Sequence, residues 1–391
     1  MTMKKPTALL ALVGACALAV TGPASLAAPP TPAQGTQGAT ASSLPVGDID
    51  TALTSKSGQT SQADQAQATD EADSAAVVSI IVQLNDGADR AASLASINEA
   101  VAGAFPGTSA QVEREYDNAL VGFALRVPAG SLDAIRASSG VRAAFLEREG
   151  HVSDVAAMDA EGGTRASQAE GQDPANLSAQ LMMRTDQVTQ KGEGKVVAII
   201  DTGVDMTHQA FTPALTATPA LSEDKVDELK AQLGEGKTGV YVNEKFPFAY
   251  DYADEDNDAS PLEPHGTHVA GIAAANAGEI MGVAPDAQII VAKVEQDGGG
   301  MLDSALLAAL DDMAILHPDV VNLSLGQDAG MDNAADSLYA GVFETLQDKG
   351  IIVDVAAGNA FSSGYGNASG KNLPYASDPD SSTLDEPASY A

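Results

Sequence analysis

Cysteine, tryptophan and positive charge are scarce in this sequence, and each shortage excludes something. The one cysteine, Cys16, lies in an N-terminal apolar run, so the rest of the chain has neither disulfides nor a thiol nucleophile. Tryptophan is absent and aromatic residues make up only 4% of the chain, which predicts a core of Ala, Val, Ile and Leu. Against 54 acidic residues there are 20 Lys and Arg, and the net charge of −34 repels nucleic-acid phosphates. We therefore exclude nucleic acid as a partner.

Long apolar runs are also lacking, apart from one at the N-terminus that is typical of an export signal. Lys4 and Lys5 precede an apolar run from Ala8 to Thr21, and small residues follow at Ser25 and Ala27. This pattern predicts a signal peptide over residues 1–27 and a secreted protein, extracellular or at the cell surface. No later run is long enough to be a transmembrane segment.

Composition divides the next part of the chain into three. Residues 28–76 are rich in Pro, Ala, Ser, Thr, Gln and Asp, which predicts a disordered linker. Residues 77–150 show the order β-α-β-β-α-β, typical of a small ferredoxin-like α+β unit. Residues 151–179 return to Gly, Ser, Ala, Asp and Gln, the kind of exposed segment that proteases cut. The predicted elements of the folded unit are Val77–Leu84, Ala91–Ala104, Ala110–Tyr116, Leu120–Val127, Ser131–Ser138 and Val141–Leu146.

From residue 180 to residue 391, apolar strands alternate with helices. Such strands predict an α/β domain whose parallel sheet is covered by helices on both faces, with functional residues at the carboxyl ends of the strands. An additional amphipathic helix is predicted at 221–233. The other predicted elements are strands at 195–200, 287–294, 320–325 and 351–356, and helices at 265–275, 302–316 and 336–349.

Two of these elements place an acid and a histidine at their ends. Asp201 ends a buried strand and precedes a glycine turn, which suits a rigidly held carboxylate but also an ordinary turn or helix-cap Asp. His265 begins a helix of mostly small residues, whose backbone can pack closely against other elements. A metal site at His265 and His268 would lack the Glu and the further ligand of a zinc helix, so we predict no metal there and interpret His268 as a core histidine.

Two further strand ends are candidates. The strand at 320–325 runs into Ser324-Leu325-Gly326, whose backbone could line a cleft, although an ordinary strand with a glycine turn also explains it. The strand at 351–356 is followed by Asn359. A side-chain amide in that position can donate to an oxyanion.

In the order Asp, His, Ser-Leu-Gly and Ala-Ala-Gly-Asn, these segments resemble the subtilisin-like serine proteases over about residues 187–359. The resemblance implies a secreted endopeptidase that acts on proteins or peptides and requires no cofactor. It implies that Asp201 orients His265, and that His265 acts as general base and then as general acid. Asn359 matches the oxyanion-hole position.

The same resemblance implies a substrate cleft and an inhibitor. Ser324, Leu325 and Gly326 match one wall of the cleft. Gly298, Gly299 and Gly300 match the edge that pairs with extended substrate, where missing side chains let backbones approach. Residues 77–150 match the family's prodomain, an intramolecular inhibitor removed during maturation, and residues 180–391 match the N-terminal part of the catalytic domain.

The sequence departs from the family at the nucleophile. Subtilases carry a Gly-Thr-Ser-Met-Ala type segment after the oxyanion Asn, and nothing between Asn359 and Ala391 matches it. Gly107-Thr108-Ser109-Ala110 precedes Asp201 and is interpreted as a loop. We expect a C-terminally truncated chain that is inactive as written. The alternative is a non-enzymatic secreted protein in which the prodomain or the acidic surface binds a protease or a cation.

The long interval between Asp201 and His265 is typical of cell-envelope proteinases such as lactocepin. Within it, residues 251–258 are dense in carboxylates. Calcium binding there is an alternative to a solvated acidic loop, and because the spacing and glycine of an EF-hand are absent, no metal ligands are assigned.

Overall fold

A computed structural model describes residues 74–150, 183–233, 239–277, 280–326, 337–358 and 387–388. All of them belong to the unit that runs from Asp70 to Ala391. The predicted signal peptide at 1–27, nearly all of the linker at 28–76 and the whole segment 151–179 lie outside the described residues. In the described part of the chain, every helix is too short or too polar to span a lipid bilayer.

The first layer is a four-stranded antiparallel sheet. Its elements are β1 (Val77–Leu84), α1 (Arg90–Ala104), β2 (Gln111–Tyr116), β3 (Gly122–Pro128), α2 (Leu132–Arg136) and β4 (Val141–Leu146). The strand order β2-β3-β1-β4 is that of a ferredoxin-like unit and confirms the predicted β-α-β-β-α-β order. Alternate residues of β1, such as Ile80 and Val82, pack with Ile97 and Val101 of α1, as the period of two requires.

The elements that follow in chain order are β5 (Glu149–Gly150), β6 (Val196–Asp201), α3 (Glu223–Lys230), β7 (Phe248–Asp251), α4 (His265–Ala274), β8 (Asn276–Ala277), β9 (Ile280–Met281), β10 (Gln288–Lys293), β11 (Met301–Leu302), α5 (Asp303–Leu316), β12 (Val320–Leu323), α6 (Ser337–Asp348) and β13 (Ile352–Val355). The second layer is a five-stranded parallel sheet with the order β13-β12-β6-β10-β7. Its strands are nearly all apolar because both faces are covered: Ile199 and Val291 pack on the α4 side, whereas Ile200 and Ala292 pack on the α5 side.

Two features of the described fold differ from the sequence prediction. The edge strand β7 was not predicted, because its four residues lie in an acidic, irregular stretch. The core is also less uniformly aliphatic than the composition indicates, since the scarce aromatic residues are concentrated inside it. Fully buried aromatic side chains include Tyr116, Tyr252, Tyr339, Phe123, Phe246, Phe248 and Phe343.

Helix α5 joins the two sheets. It is buried along nearly its whole surface, and Tyr116 and Leu120 of the first layer share one apolar cluster with its Leu306 and Leu310. The Asp311 carboxylate accepts hydrogen bonds of 2.7 to 3.1 Å from the backbone N–H groups of residues 117–120 and from the side-chain amide of Asn118. These donors satisfy a buried charge without any cationic side chain.

We predict that Asp311→Asn lowers the free energy of unfolding by about 2 kcal/mol, because an amide presents donors toward the N–H groups of residues 117–120. Urea denaturation of the chain measures this. The matched control is Asp133→Asn, whose side chain is 93% exposed, with an expected change below about 0.5 kcal/mol. Equal effects of the two substitutions would contradict the assignment.

Candidate active site

The site begins at the carboxyl end of the central strand β6. Asp201 is only 1% exposed, and its Oδ1 accepts hydrogen bonds from the Thr202 N–H at 2.8 Å and from His265 Nδ1 at 2.7 Å. The turn that follows passes through Gly203 at φ +95°, where a Cβ would lie 2.7 Å from the carbonyl oxygen of Ala259. A side chain at 203 is therefore excluded by conformation and by space.

Helix α4 begins directly at His265 and docks against this turn. The Gly266 N–H donates to Thr202 Oγ1 at 3.0 Å, and a Cβ at Gly266 would lie 2.2 Å from the Gly203 carbonyl oxygen. The Thr267 hydroxyl accepts from the Asp205 N–H at 2.8 Å. The small residues of the His-Gly-Thr segment thus allow the contact that brings the imidazole to Asp201.

The prediction of a core histidine at position 268 is wrong, since His268 is exposed. The buried residues of α4 are Gly266, Ala270 and Ala274, four positions apart. Position 268 lies half a turn away from this buried stripe, so its side chain points outward.

The electrostatics favour a proton on His265. The hydrogen bond to Asp201 raises the pKa of His265 against the opposing effect of burial, and the charges of Asp201, Glu263 and Glu295 act in the same direction. Burial, followed by the nearby Glu263, raises the pKa of Glu295. With Nδ1 donating to Asp201, the neutral imidazole carries its lone pair on Nε2 and can accept a proton there. Glu263 and Glu295 were not predicted, because the sequence signal is only their nearness to a His and to a strand end.

The two predicted cleft segments lie on either side of Asp201. Strand β12 pairs Leu323 with Ile200, so Ser324 to Gly326 continue the edge beside Asp201. On the other side, β10 pairs Lys293 with Asp201 and leads into the loop of Gly298, Gly299 and Gly300. Gly299 and Gly300 have φ angles of +83° and +88°, and a Cβ at Gly298 or Gly299 would meet no atom within 4 Å. The loop is open to another backbone.

Two of the predicted residues need separate mention. Leu325 is 5% exposed and belongs to the core, so its side chain is not available to a ligand. Asn359 lies just outside the described residues, which stop in this region at Gly358.

The acidic segment before His265 contributes two carboxylates to a cluster around Lys293. Asp251, Asp254 and Asp297 each place a carboxylate oxygen within 4.8 Å of the others, a spacing that would suit calcium. The Lys293 ammonium, however, lies 2.7 Å from Asp251 and 2.8 Å from Asp297. A metal ion would have to displace it, so the residues as placed do not fit calcium.

We predict that Gly266→Ala lowers the free energy of unfolding by about 2 kcal/mol, because its Cβ collides with the backbone of Gly203. Chemical denaturation provides the measurement. In the control Gly271→Ala, on the same helix, the added methyl meets no atom within 4 Å, so helix propensity should make the change neutral or stabilising by up to about 1 kcal/mol. A loss at Gly271 as large as that at Gly266 would refute the packing explanation.

A second prediction concerns the titration of His265. Because its folded-state pKa is raised, protonated His265 stabilises the fold; this contribution is complete below about pH 6.5 and is lost as the pH rises through the folded-state pKa. Asp201→Asn should lower the His265 midpoint toward about 6.5, as followed by NMR of labelled histidine. The control is Asp205→Asn, because Asp205 accepts from Thr207 rather than from His265. An unchanged midpoint in Asp201→Asn would contradict the geometry.

Comparisons with known proteins bear on this site. The model of the subtilase family matches residues 192–391. Over 202 residues the chain is 35% identical to a PII-type proteinase of Lactococcus lactis subsp. cremoris, covering 49% of this chain and 10% of that protein. Over 210 residues it is 35% identical to a C5a peptidase of Streptococcus pyogenes serotype M6, covering 51% of this chain and 17% of that protein.

Among solved structures, the chain is similar to the epidermin leader peptide processing serine protease EpiP of Staphylococcus aureus, with a TM-score of 0.44 and 16% identity over 73% of this chain and 61% of that one. The chain spans about a tenth of the length of the lactococcal proteinase that it matches. Because the family model covers more than half of its residues, the chain belongs to the subtilase family.

Proposed function

We propose that this chain is part of a secreted serine endopeptidase that hydrolyses peptide bonds in proteins or peptides. The observation that carries the proposal is the 2.7 Å hydrogen bond between His265 Nδ1 and the buried Asp201 carboxylate at the end of β6. Membership of the subtilase family supports it.

In the proposed mechanism, His265 Nε2 takes the proton of a serine hydroxyl while the serine oxygen bonds to the substrate carbonyl carbon. The imidazolium is stabilised by Asp201 and then protonates the leaving amine as the C–N bond breaks. Water repeats the two steps to release the acid. Asn359 is proposed to donate to the oxyanion, and no cofactor is required.

The substrate is proposed to bind as an extended strand between the two segments that flank Asp201. Gly298, Gly299 and Gly300 offer backbone groups without side chains, and Ser324 to Gly326 offer a second backbone edge. Backbone pairing of this kind binds many sequences, with selectivity left to the neighbouring side chains.

Residues 77–150 are proposed to be the inhibitory prodomain. Their last strand, β5, pairs antiparallel with β11 directly after the glycine loop: Gly150 pairs with Met301 and Glu149 with Leu302. The Arg148 Nε lies 2.9 Å from Asp303, which also accepts from the Tyr339 hydroxyl at 2.6 Å. A strand held in this place would compete with substrate for the same edge. The signal-like residues 1–27 support export of the protein.

The nucleophile provides the test. Residues 1–391 contain no subtilase serine segment, so we predict that a polypeptide of these residues alone neither hydrolyses peptides nor reacts with a fluorophosphonate. A form of the protease that carries the serine segment should do both. In that form, His265→Ala should reduce kcat/KM by about 10⁶-fold.

Asp205→Asn serves as the control in the same form and should retain activity, since Asp205 does not contact His265. A serine-carrying form that folds cooperatively, shows no turnover and still binds protein ligands would favour the non-enzymatic alternative. Hydrolysis that survives His265→Ala would overturn the proposed mechanism.

A further inference from the structure

Lys293 is a buried cation that the proposed mechanism does not use. It ends β10, with Asp201 beside it on β6 and Asp251 beside it on β7. The side chain is 2% exposed. Burial alone would lower the pKa of Lys293, but hydrogen bonds to Asp251 and Asp297 outweigh burial and raise the pKa above its ordinary value, so the ammonium stays charged.

The ammonium joins two segments that are distant in sequence. It lies 2.7 Å from Asp251 Oδ2 at the end of β7, 2.8 Å from Asp297 Oδ1, and 3.9 Å from Asp254 Oδ2 in the loop that follows β7. The Asp297 N–H also donates to Asp254 Oδ2 at 3.0 Å. Asp297 is the residue immediately before the glycine loop.

The base of the glycine loop is held by the backbone: Val294 N–H donates to the Asp201 carbonyl oxygen at 2.9 Å, and Glu295 forms a bridge with Met301. Its tip has fewer contacts. Its internal bonds run from the Gln296 N–H to Gly300 O at 3.0 Å and from the Gly299 N–H to Gln296 O at 2.8 Å. Gly298 and Gly299 have no side chain that could pack against a neighbouring element. Glycine also has the largest conformational freedom of any residue. The contact at Asp297 therefore adds a fixed point within the tip of the loop, beyond the backbone contacts at its base.

We propose that Lys293 is a positioning residue for the cleft. Its ammonium supplies the positive charge that the clustered carboxylates of Asp251, Asp254 and Asp297 need. Through Asp297 it fixes the position of the glycine loop relative to the Asp201–His265 pair. The inference rests on the proposed peptidase function for its kinetic consequence, but the anchoring itself can be tested without catalysis.

Replacing Lys293 alone would leave Asp251 buried and charged, which is expected to unfold the protein. Asp297→Ala is the cleaner change, because this side chain is 71% exposed. Asp227→Ala is the matched control: Asp227 is 64% exposed and pairs with Lys230 on α3 at 3.3 Å. A double variant, Lys293→Met with Asp251→Asn, removes the ammonium and one of its carboxylate charges together.

Hydrogen exchange of the 391-residue chain is the first readout. Asp297→Ala and the double variant should speed exchange of the amides of residues 296–300 about tenfold, with no change in Asp227→Ala. Unchanged exchange in either of the first two would overturn the anchoring role of Lys293, whether or not the protein is a peptidase.

Kinetics of a serine-carrying form is the second readout. Asp297→Ala should raise KM for an extended peptide about tenfold, the loss expected for one hydrogen bond between charged groups, while kcat and the kinetics of a short ester stay unchanged. Faster exchange with an unchanged KM would overturn the positioning of substrate. Absence of hydrolysis in the serine-carrying form without substitutions would instead refute the proposed function. The hydrogen-exchange result would then decide the anchoring role of Lys293 by itself.

Discussion

A buried carboxylate needs partners, and the side-chain partner of Asp201 is His265, at 2.7 Å. That contact constrains both helix α4 and the parallel sheet. Helix α4 must approach the end of β6 closely, so position 266 has no room for a side chain. The parallel sheet must hold β6 in its centre, so that neighbouring strands can deliver loops to both sides of the acid. The cleft is therefore a consequence of where one charge is buried.

The buried carboxylates of this protein have different kinds of hydrogen-bonding partner. The chain carries 54 acidic and only 20 basic residues, so few cations are available for buried acids. Asp311 is satisfied by N–H groups from one short segment, and Asp201 by an N–H group and an imidazole. Two buried acids have cationic partners: Asp251 binds the Lys293 ammonium, and Asp303 binds the Arg148 guanidinium. At Asp311, N–H donors take the place of a positive charge.

The sequence predicted what depends on local pattern. Period-two and apolar runs located the strands of both sheets apart from β7, and the resemblance to the subtilisin-like proteases paired Asp201 with His265. It did not predict contacts between distant segments: nothing in the neighbourhood of Asp311 or Lys293 indicates which residues surround them. The short strand β7 and the outward His268 were missed or misassigned, because four residues carry little periodicity and a helix face is decided by packing on its partner. Asn359 and the segment 151–179 remain predictions.

The surface of helix α5 also determines what would be exposed if the first layer separated from it. The first layer binds this helix through the N–H donors of residues 117–120 and through the guanidinium of Arg148. The acceptors on the helix are the carboxylates of Asp311 and Asp303. Water can hydrate each of these groups if the helix and the first layer part, and it would then take the place of the polar contacts. Separation would also expose the apolar side chains of Tyr116, Leu120, Leu306 and Leu310, which share one cluster. The apolar part of the junction therefore opposes separation, whereas the polar part mainly fixes which groups face each other.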